Sequence, residues 1–155
     1  LSEAQTRFII VGGAAATAHG SVRLTLDLDV VYDRAPDNLE RLSRALTPCS
    51  PYLRGAPPGL PFVLDFDTLH HGLNFTLSTS VGALDLLREI AGGGGYAQLR
   101  PHAVEMLLFG HPHLVLGIDK LIQVKRDAGR PRDLETAAEL EALREENREL
   151  PRQGQ

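Results

Sequence analysis

The sequence is poor in several things that would have named a function class at once. It holds one cysteine, Cys49, in 155 residues. That excludes a disulfide framework and a cysteine-based zinc cage. Tryptophan is absent, and aromatic residues make up only 5%. No apolar run approaches the length of a membrane span. No charged-then-apolar segment opens the sequence, so the expectation is a soluble, cytoplasmic protein. Basic residues are in deficit: sixteen against twenty acidic ones, for a formal net charge of −4. A broadly basic nucleic-acid surface is disfavoured, and only a local patch would serve. Lysine itself is scarce. Only Lys120 and Lys125 are present, and the other fourteen bases are arginine.

What is there describes a globular chain. Hydrophobic residues amount to 43% and charged residues to 23%, close to the globular norm. The length suits one domain with a core large enough to need no staple. We expect that domain to span residues 1–150, with a disordered tail at 151–155. The local pattern is mixed. Phe8–Val11 reads as a buried strand, followed by Gly12-Gly13 and the helix former Ala14–Ala18. Leu24–Val31 alternates, with Leu24, Leu26, Leu28 and Val30 on one face and Thr25, Asp27 and Asp29 on the other. A helix is predicted over Asn38–Leu46, with Asp37 as its N-cap. Pro48–Pro61 holds five prolines and two glycines and reads as a loop or lid.

Leu73–Leu77 and Ala83–Leu87 read as strands joined by a turn at Thr79–Gly82. Gly92–Gly95 is a loop, and a short helix near Tyr96–His102 follows. Val104–Phe109 and Leu114–Leu116 suggest a hairpin around Gly110–His113. Ile118–Ala128 is helical and stops at Gly129. Pro131 suits the first turn of a last helix, Arg132–Arg148, and the charged stretch Glu145–Gln155 is expected to fray. Hairpins mixed with helices point to an α+β fold with a mixed sheet.

The sharpest local feature is Asp27-Leu28-Asp29. Residues two apart in a strand share a face, and two adjacent carboxylates repel and resist desolvation. A divalent cation relieves both costs, and Mg²⁺ favours one or two carboxylates plus phosphate oxygens. A solvated edge-strand face would accommodate the pair without metal. Asp65-Phe66-Asp67 repeats the spacing beside the proline-rich segment. The first pair differs in standing downstream of a strand–glycine–helix turn, where backbone N–H groups can approach phosphate. The endings of a P-loop and of a dinucleotide-binding turn are both missing.

Gly12-Gly13, thirteen residues, then Asp27-Leu28-Asp29-Val30 resembles the signature of the polymerase-beta-like nucleotidyltransferase superfamily. The fuller string through His19-Gly20, Arg23, Thr25 and the Asp pair is similar to its minimal prokaryotic branch, which includes AbiEii-type toxin nucleotidyltransferases. The resemblance extends to Leu84-Asp85-Leu86-Leu87, where the family places a third carboxylate on a neighbouring strand, and to Lys125, Arg130 and Asp133. It implies transfer of a nucleoside monophosphate from an NTP to a hydroxyl acceptor: an RNA end, a protein or a small molecule. It implies Mg²⁺ or Mn²⁺ on Asp27, Asp29 and Asp85. It implies phosphate contacts from Gly12, Gly13, Arg23, Lys125 and Arg130, with Asp133 in support. An antitoxin partner would follow if the chain is a toxin. Where relatives often carry Gly-Ser, this chain has Gly12-Gly13, so a hydroxyl contact to phosphate is missing. A non-catalytic nucleotide- or partner-binding module that keeps the fold is the alternative, and a metal-dependent phosphohydrolase is a third.

One position supports a cleft without appeal to any family. Ile118, Leu121, Ile122 and Lys125 fall at the spacing of one apolar helix face. Lys125 therefore occupies a position suited to a core residue and must snorkel, pair with a carboxylate or reach a polar cleft. Lys120 lies off this face. Arg23, an even number of residues before the Asp pair, shares its strand face and stands either beside the metal site or in an exposed ion pair. Arg130 would clamp phosphate or cap the preceding helix. Asp133 would hold Lys125 or Arg130, or simply favour a helix start. His70-His71 and His111-Pro112-His113 do not have the spacing of a shared metal site, and His19 reads as a helix-end residue. Cys49, Ser78 and Ser80 lack the surroundings of a nucleophile.

Overall fold

The computed structural model describes residues 5–22 and 27–149. Nine strands and six α-helices occur among them. Strand β1 (Phe8–Val11) runs directly into α1 (Gly12–Ala18), and β2 (Asp27–Tyr32) leads to α2 (Pro36–Leu46). The short β3 (Tyr52–Leu53) is followed by α3 (Phe66–His71), β4 (Phe75–Thr79) and β5 (Gly82–Leu87). A two-stranded ribbon, β6 (Glu89–Ile90) with β7 (Gly94–Gly95), precedes α4 (Tyr96–Leu99). The hairpin β8 (Ala103–Leu108) and β9 (His111–Leu116) comes next, then α5 (Ile118–Ala128) and α6 (Pro131–Glu149).

The main sheet has seven strands in the order β3-β4-β5-β2-β1-β9-β8. Two pairings are parallel, β2 with β5 and β1 with β9; the others are antiparallel. This is the mixed sheet expected of an α+β fold. Its centre is the driest part of the molecule. Ile9, Val30, Val31, Tyr32, Leu77, Leu86, Val115 and Leu116 have essentially no exposed surface. Helices cover them with Leu39 and Leu42 from α2, Leu69 from α3, Leu121 from α5 and Leu140 from α6. Among the described residues no helix is long and apolar enough to cross a membrane.

The strand expected over Leu24–Val31 is present from Asp27, and its first three residues lie outside the described ones. Its alternation gives way to continuous burial at Val30, Val31 and Tyr32, because β2 is central and flanked by β1 and β5. A central strand is covered on both faces and needs no polar side.

Several local expectations are corrected. Asp37 is not the N-cap of α2: Ala35 holds that position, Pro36 opens the helix, and Asp37 pairs with Arg7. Asp65 instead caps α3, accepting from the Thr68 N–H at 2.9 Å, so the second D-x-D spacing is a helix start. The Pro48–Pro61 segment is less irregular than expected, since Tyr52–Leu53 pairs with Leu77–Ser78 at the sheet edge. Gly92–Gly95 likewise contributes two residues to the small ribbon. The β8–β9 turn is tighter than the sequence suggested. Phe109 and Gly110 both have positive φ, 53° and 79°, as a two-residue primed turn requires. Finally, α6 continues through Glu149, past the point where fraying was expected, and the tail beyond lies outside the described residues.

Arg34 and Asn38 secure the connections. Arg34 donates to the carbonyls of Leu69, His70 and Gly72, tying β2 to the C-terminal end of α3. Buried Asn38 bridges Arg7 and Asp33 through three backbone hydrogen bonds.

Candidate functional site

The carboxylates come together through register. Asp27 and Asp29 share a face of β2. The parallel pairing with β5 sets Asp29 opposite Asp85 and Asp27 opposite Ala83. Asp85 is thus the third carboxylate on the neighbouring strand, where the resemblance placed it. Side chains on directly paired positions are close neighbours, so Asp29 and Asp85 stand side by side.

That geometry has an electrostatic cost. Asp29 is half-buried, and its pKa is pushed up to about 7. Desolvation is the largest cause, followed by the hydrogen bond and charge of Asp85 and then the charge of Asp27. Lys125 acts in the opposite direction. The Asp29 Oδ1 atom is buried and has no hydrogen-bond partner among the described residues. An orphaned carboxylate oxygen beside two more acids is relieved by a proton or by a cation.

The glycine turn packs directly on this group. Gly12 has φ of +63°, and a Cβ there would collide with Asp29 Oδ2. Two independent constraints therefore require glycine: the left-handed backbone and the close approach of the Asp29 carboxylate. Gly13 follows as the second residue of α1. His19 ends this helix, as expected, and its Nε2 lies 2.8 Å from the Leu116 carbonyl, tying α1 to β9.

Lys125 sits on α5 with its side chain 20% exposed and its Nζ 3.5 Å from Asp133 Oδ1. The inward position inferred from helical spacing is correct. Asp133, in the first turn of α6, holds both candidate bases: Arg130 Nε donates to its other oxygen at 2.6 Å. The Arg130 hydrogen bond is the leading reason that Asp133 stays below the usual carboxylate range, with Lys125 adding to it. Arg130 is otherwise exposed, and none of its described contacts reaches the three-carboxylate cluster. Lys120 instead bonds Gln123 on the exposed side of α5. Arg23 lies outside the described residues.

The residue that sequence reasoning missed is Arg54. Its Nη2 lies 2.8 Å from Asp85 Oδ1, and its Nη1 lies 3.6 Å from Asp27 Oδ2. It follows β3 inside the proline-rich segment, where no periodicity marks it. Only the pairing of β3 with β4, and of β4 with β5, carries it to the acids.

The donors present are all oxygens, which suits a hard cation such as Mg²⁺ or Mn²⁺. The orphaned Asp29 oxygen fits such an ion. Among the described residues, however, no three acidic, histidine or cysteine side chains already converge as a metal cage; Arg54 stands among the carboxylates. The other candidates lie apart. His70 stacks on Phe66 and meets His71 edge-on. His111 and His113 line a depression of about 250 Å³ with Arg7, Phe8 and Tyr96. A second depression, of about 270 Å³, lies between α5 and α6. The carboxylate cluster lines neither. No protein-family model matches the chain, and no curated protein matches it either.

Proposed function

We propose that the protein is a metal-dependent nucleotidyltransferase with the polymerase-beta-like fold. The observation that carries this reading is the in-register pair Asp29–Asp85 with Asp27 alongside, packed on a glycine that no other residue could replace without strain. Excess negative charge at a half-buried position is costly to the fold, and a cation-dependent reaction on phosphate gives it a purpose.

In this reading Asp27, Asp29 and Asp85 hold Mg²⁺ or Mn²⁺. When bound, the metal supplies charge stabilisation for the attacking and leaving oxygens of an in-line displacement at phosphorus. The protein's own groups have separate tasks. Asp85 accepts the proton from the acceptor hydroxyl. The backbone N–H groups of Gly12 and Gly13 face the β- and γ-phosphates of the NTP. Lys125, held by Asp133, offsets charge on the departing pyrophosphate. Arg130, on the other side of Asp133, fixes the orientation of that carboxylate. The acceptor is an RNA end, a protein hydroxyl or a small molecule.

The test is transfer from labelled NTPs with Mg²⁺ across RNA, protein and aminoglycoside acceptors. Transfer that is lost in Asp29→Asn supports the reading, and unchanged transfer in that variant refutes it. A second reading, nucleotide binding without transfer, draws on Arg54 standing among the acids. Calorimetry showing Mg·NTP binding, with no transfer to any acceptor, would favour it.

A further inference from the structure

Between Pro48 and Pro61 the chain carries one charged side chain, Arg54, and the fold delivers it to the carboxylates. The Arg54 N–H donates to the Thr76 carbonyl at 2.9 Å, prolonging the β3–β4 pairing by one residue. Its guanidinium then reaches across β4. Nη2 donates to the Leu77 carbonyl at 2.7 Å and to Asp85 at 2.8 Å, while Nη1 faces Asp27. Nε is buried and makes no hydrogen bond among the described residues.

Comparison with Arg34 is instructive. Arg34 grips backbone carbonyls and the Tyr32 hydroxyl, the pattern of an arginine that ties elements together. Arg54 grips one carbonyl and two acids from two strands. Those acids are the ones assigned to metal. A guanidinium and a divalent cation cannot share the same carboxylate oxygens without strong repulsion.

We propose that Arg54 is a displaceable internal counter-ion: it bridges Asp27 and Asp85 and offsets part of their charge in the metal-free protein, and binding of a divalent cation expels it. The proposal rests on the metal-site reading above. Expulsion needs only side-chain rotation. The side chain is 30% exposed, and the backbone bond to Thr76 can persist. Metal affinity is then set by an exchange, and Arg54 lowers it. A purely structural arginine would behave differently, because its removal would loosen the carboxylates and weaken metal binding.

The probe is Mn²⁺ alone, with unbound ion read by electron paramagnetic resonance, on the full chain as wild type, Arg54→Gln and Arg54→Lys. Arg54→Gln is expected to bind Mn²⁺ roughly three- to tenfold more tightly, the size of one or two part-exposed ion pairs. Arg54→Lys falls between, because an ammonium makes a weaker bridge. Metal-free Arg54→Gln should melt below wild type, and saturating Mn²⁺ should close the gap. Equal or weaker binding by Arg54→Gln overturns the role of Arg54; if wild-type binding is still lost in Asp29→Asn, the metal site survives. Failure of wild type and Arg54→Gln alike to bind Mn²⁺ overturns both. Should Arg54→Gln not fold, Arg54→Lys decides by the same direction of change.

Discussion

Asp133 and Asp29 are both removed from water, yet they behave oppositely. The Asp133 side chain is only 5% exposed and is held by Lys125 and Arg130. Its pKa falls below the usual carboxylate range, chiefly through Arg130. Asp29 keeps more exposed surface, yet its pKa rises to about 7, through desolvation first and then through Asp85 and Asp27. At Asp29 burial and like-charged neighbours push in the same direction, whereas at Asp133 two bases outweigh burial. One acid between two bases is a finished structural network. Asp27, Asp29 and Asp85 instead gather on two neighbouring strands, with Arg54 against two of them and a buried Asp29 oxygen that finds no hydrogen-bond partner among the described residues. Lys125 stands between them, paired with Asp133 and acting electrostatically on Asp29.

Substitutions should break this contrast in graded ways. The largest effect belongs to Asp27→Ala with Asp29→Ala. On the proposed function, labelled-NTP transfer should drop by about 10³-fold or more, the scale set by several kcal/mol of lost charge stabilisation. Full activity in that variant would remove both carboxylates from the chemistry. Next comes Gly12→Ala, which meets a positive φ and the Asp29 carboxylate together. It should cost about 2–4 kcal/mol in urea denaturation. A near-neutral change would show that the turn adapts and that the cradle is not rigid.

Asp133→Asn leaves Lys125 and Arg130 without their carboxylate and should cost about 1–3 kcal/mol at neutral pH. It also sharpens the contrast in pH. The folded pKa of Asp133 is depressed, so its stabilisation is present above the unfolded value and is lost as pH falls through the folded one. Asp133→Asn should lack that acid-side loss.

The smallest effect is the reverse dependence at Asp29. Its folded pKa is raised from the ordinary 3.8 to about 7. Between those values the native state binds more protons than the unfolded one, so stability falls as pH rises. Metal-free protein should lose melting temperature progressively from about pH 4 to pH 7 through this group. Asp29→Asn should flatten that component, and an unchanged profile would show that Asp29 is not the group concerned.

Much of the candidate site was legible in the sequence because its signals are local. The strand face shared by Asp27 and Asp29 follows from period two. The inward position of Lys125 follows from the spacing of Ile118, Leu121 and Ile122. Gly129 stops α5 with φ of +71°, as its sequence position implied. The misreadings are instructive in the same terms. Asp37 and Asp65 both precede helix-forming stretches, but only Asp65 is a cap. Arg7, thirty positions away, draws Asp37 into an ion pair instead, and no local window contains that competitor. Burial of Val31 and Tyr32 likewise depends on β2 being a central strand.

By itself, then, the sequence determined the alternation of short strands and helices, the glycine turn before the acidic strand and the lysine on an apolar face. Each depends on residues within one or two turns of chain. Tertiary structure alone decided the rest. The parallel pairing of β2 with β5 set Asp85 opposite Asp29, and the β3–β4–β5 edge brought Arg54 to the same acids. Strand order and register are fixed by which apolar faces bury together across long separations, and that selection is not encoded in the neighbourhood of any single residue.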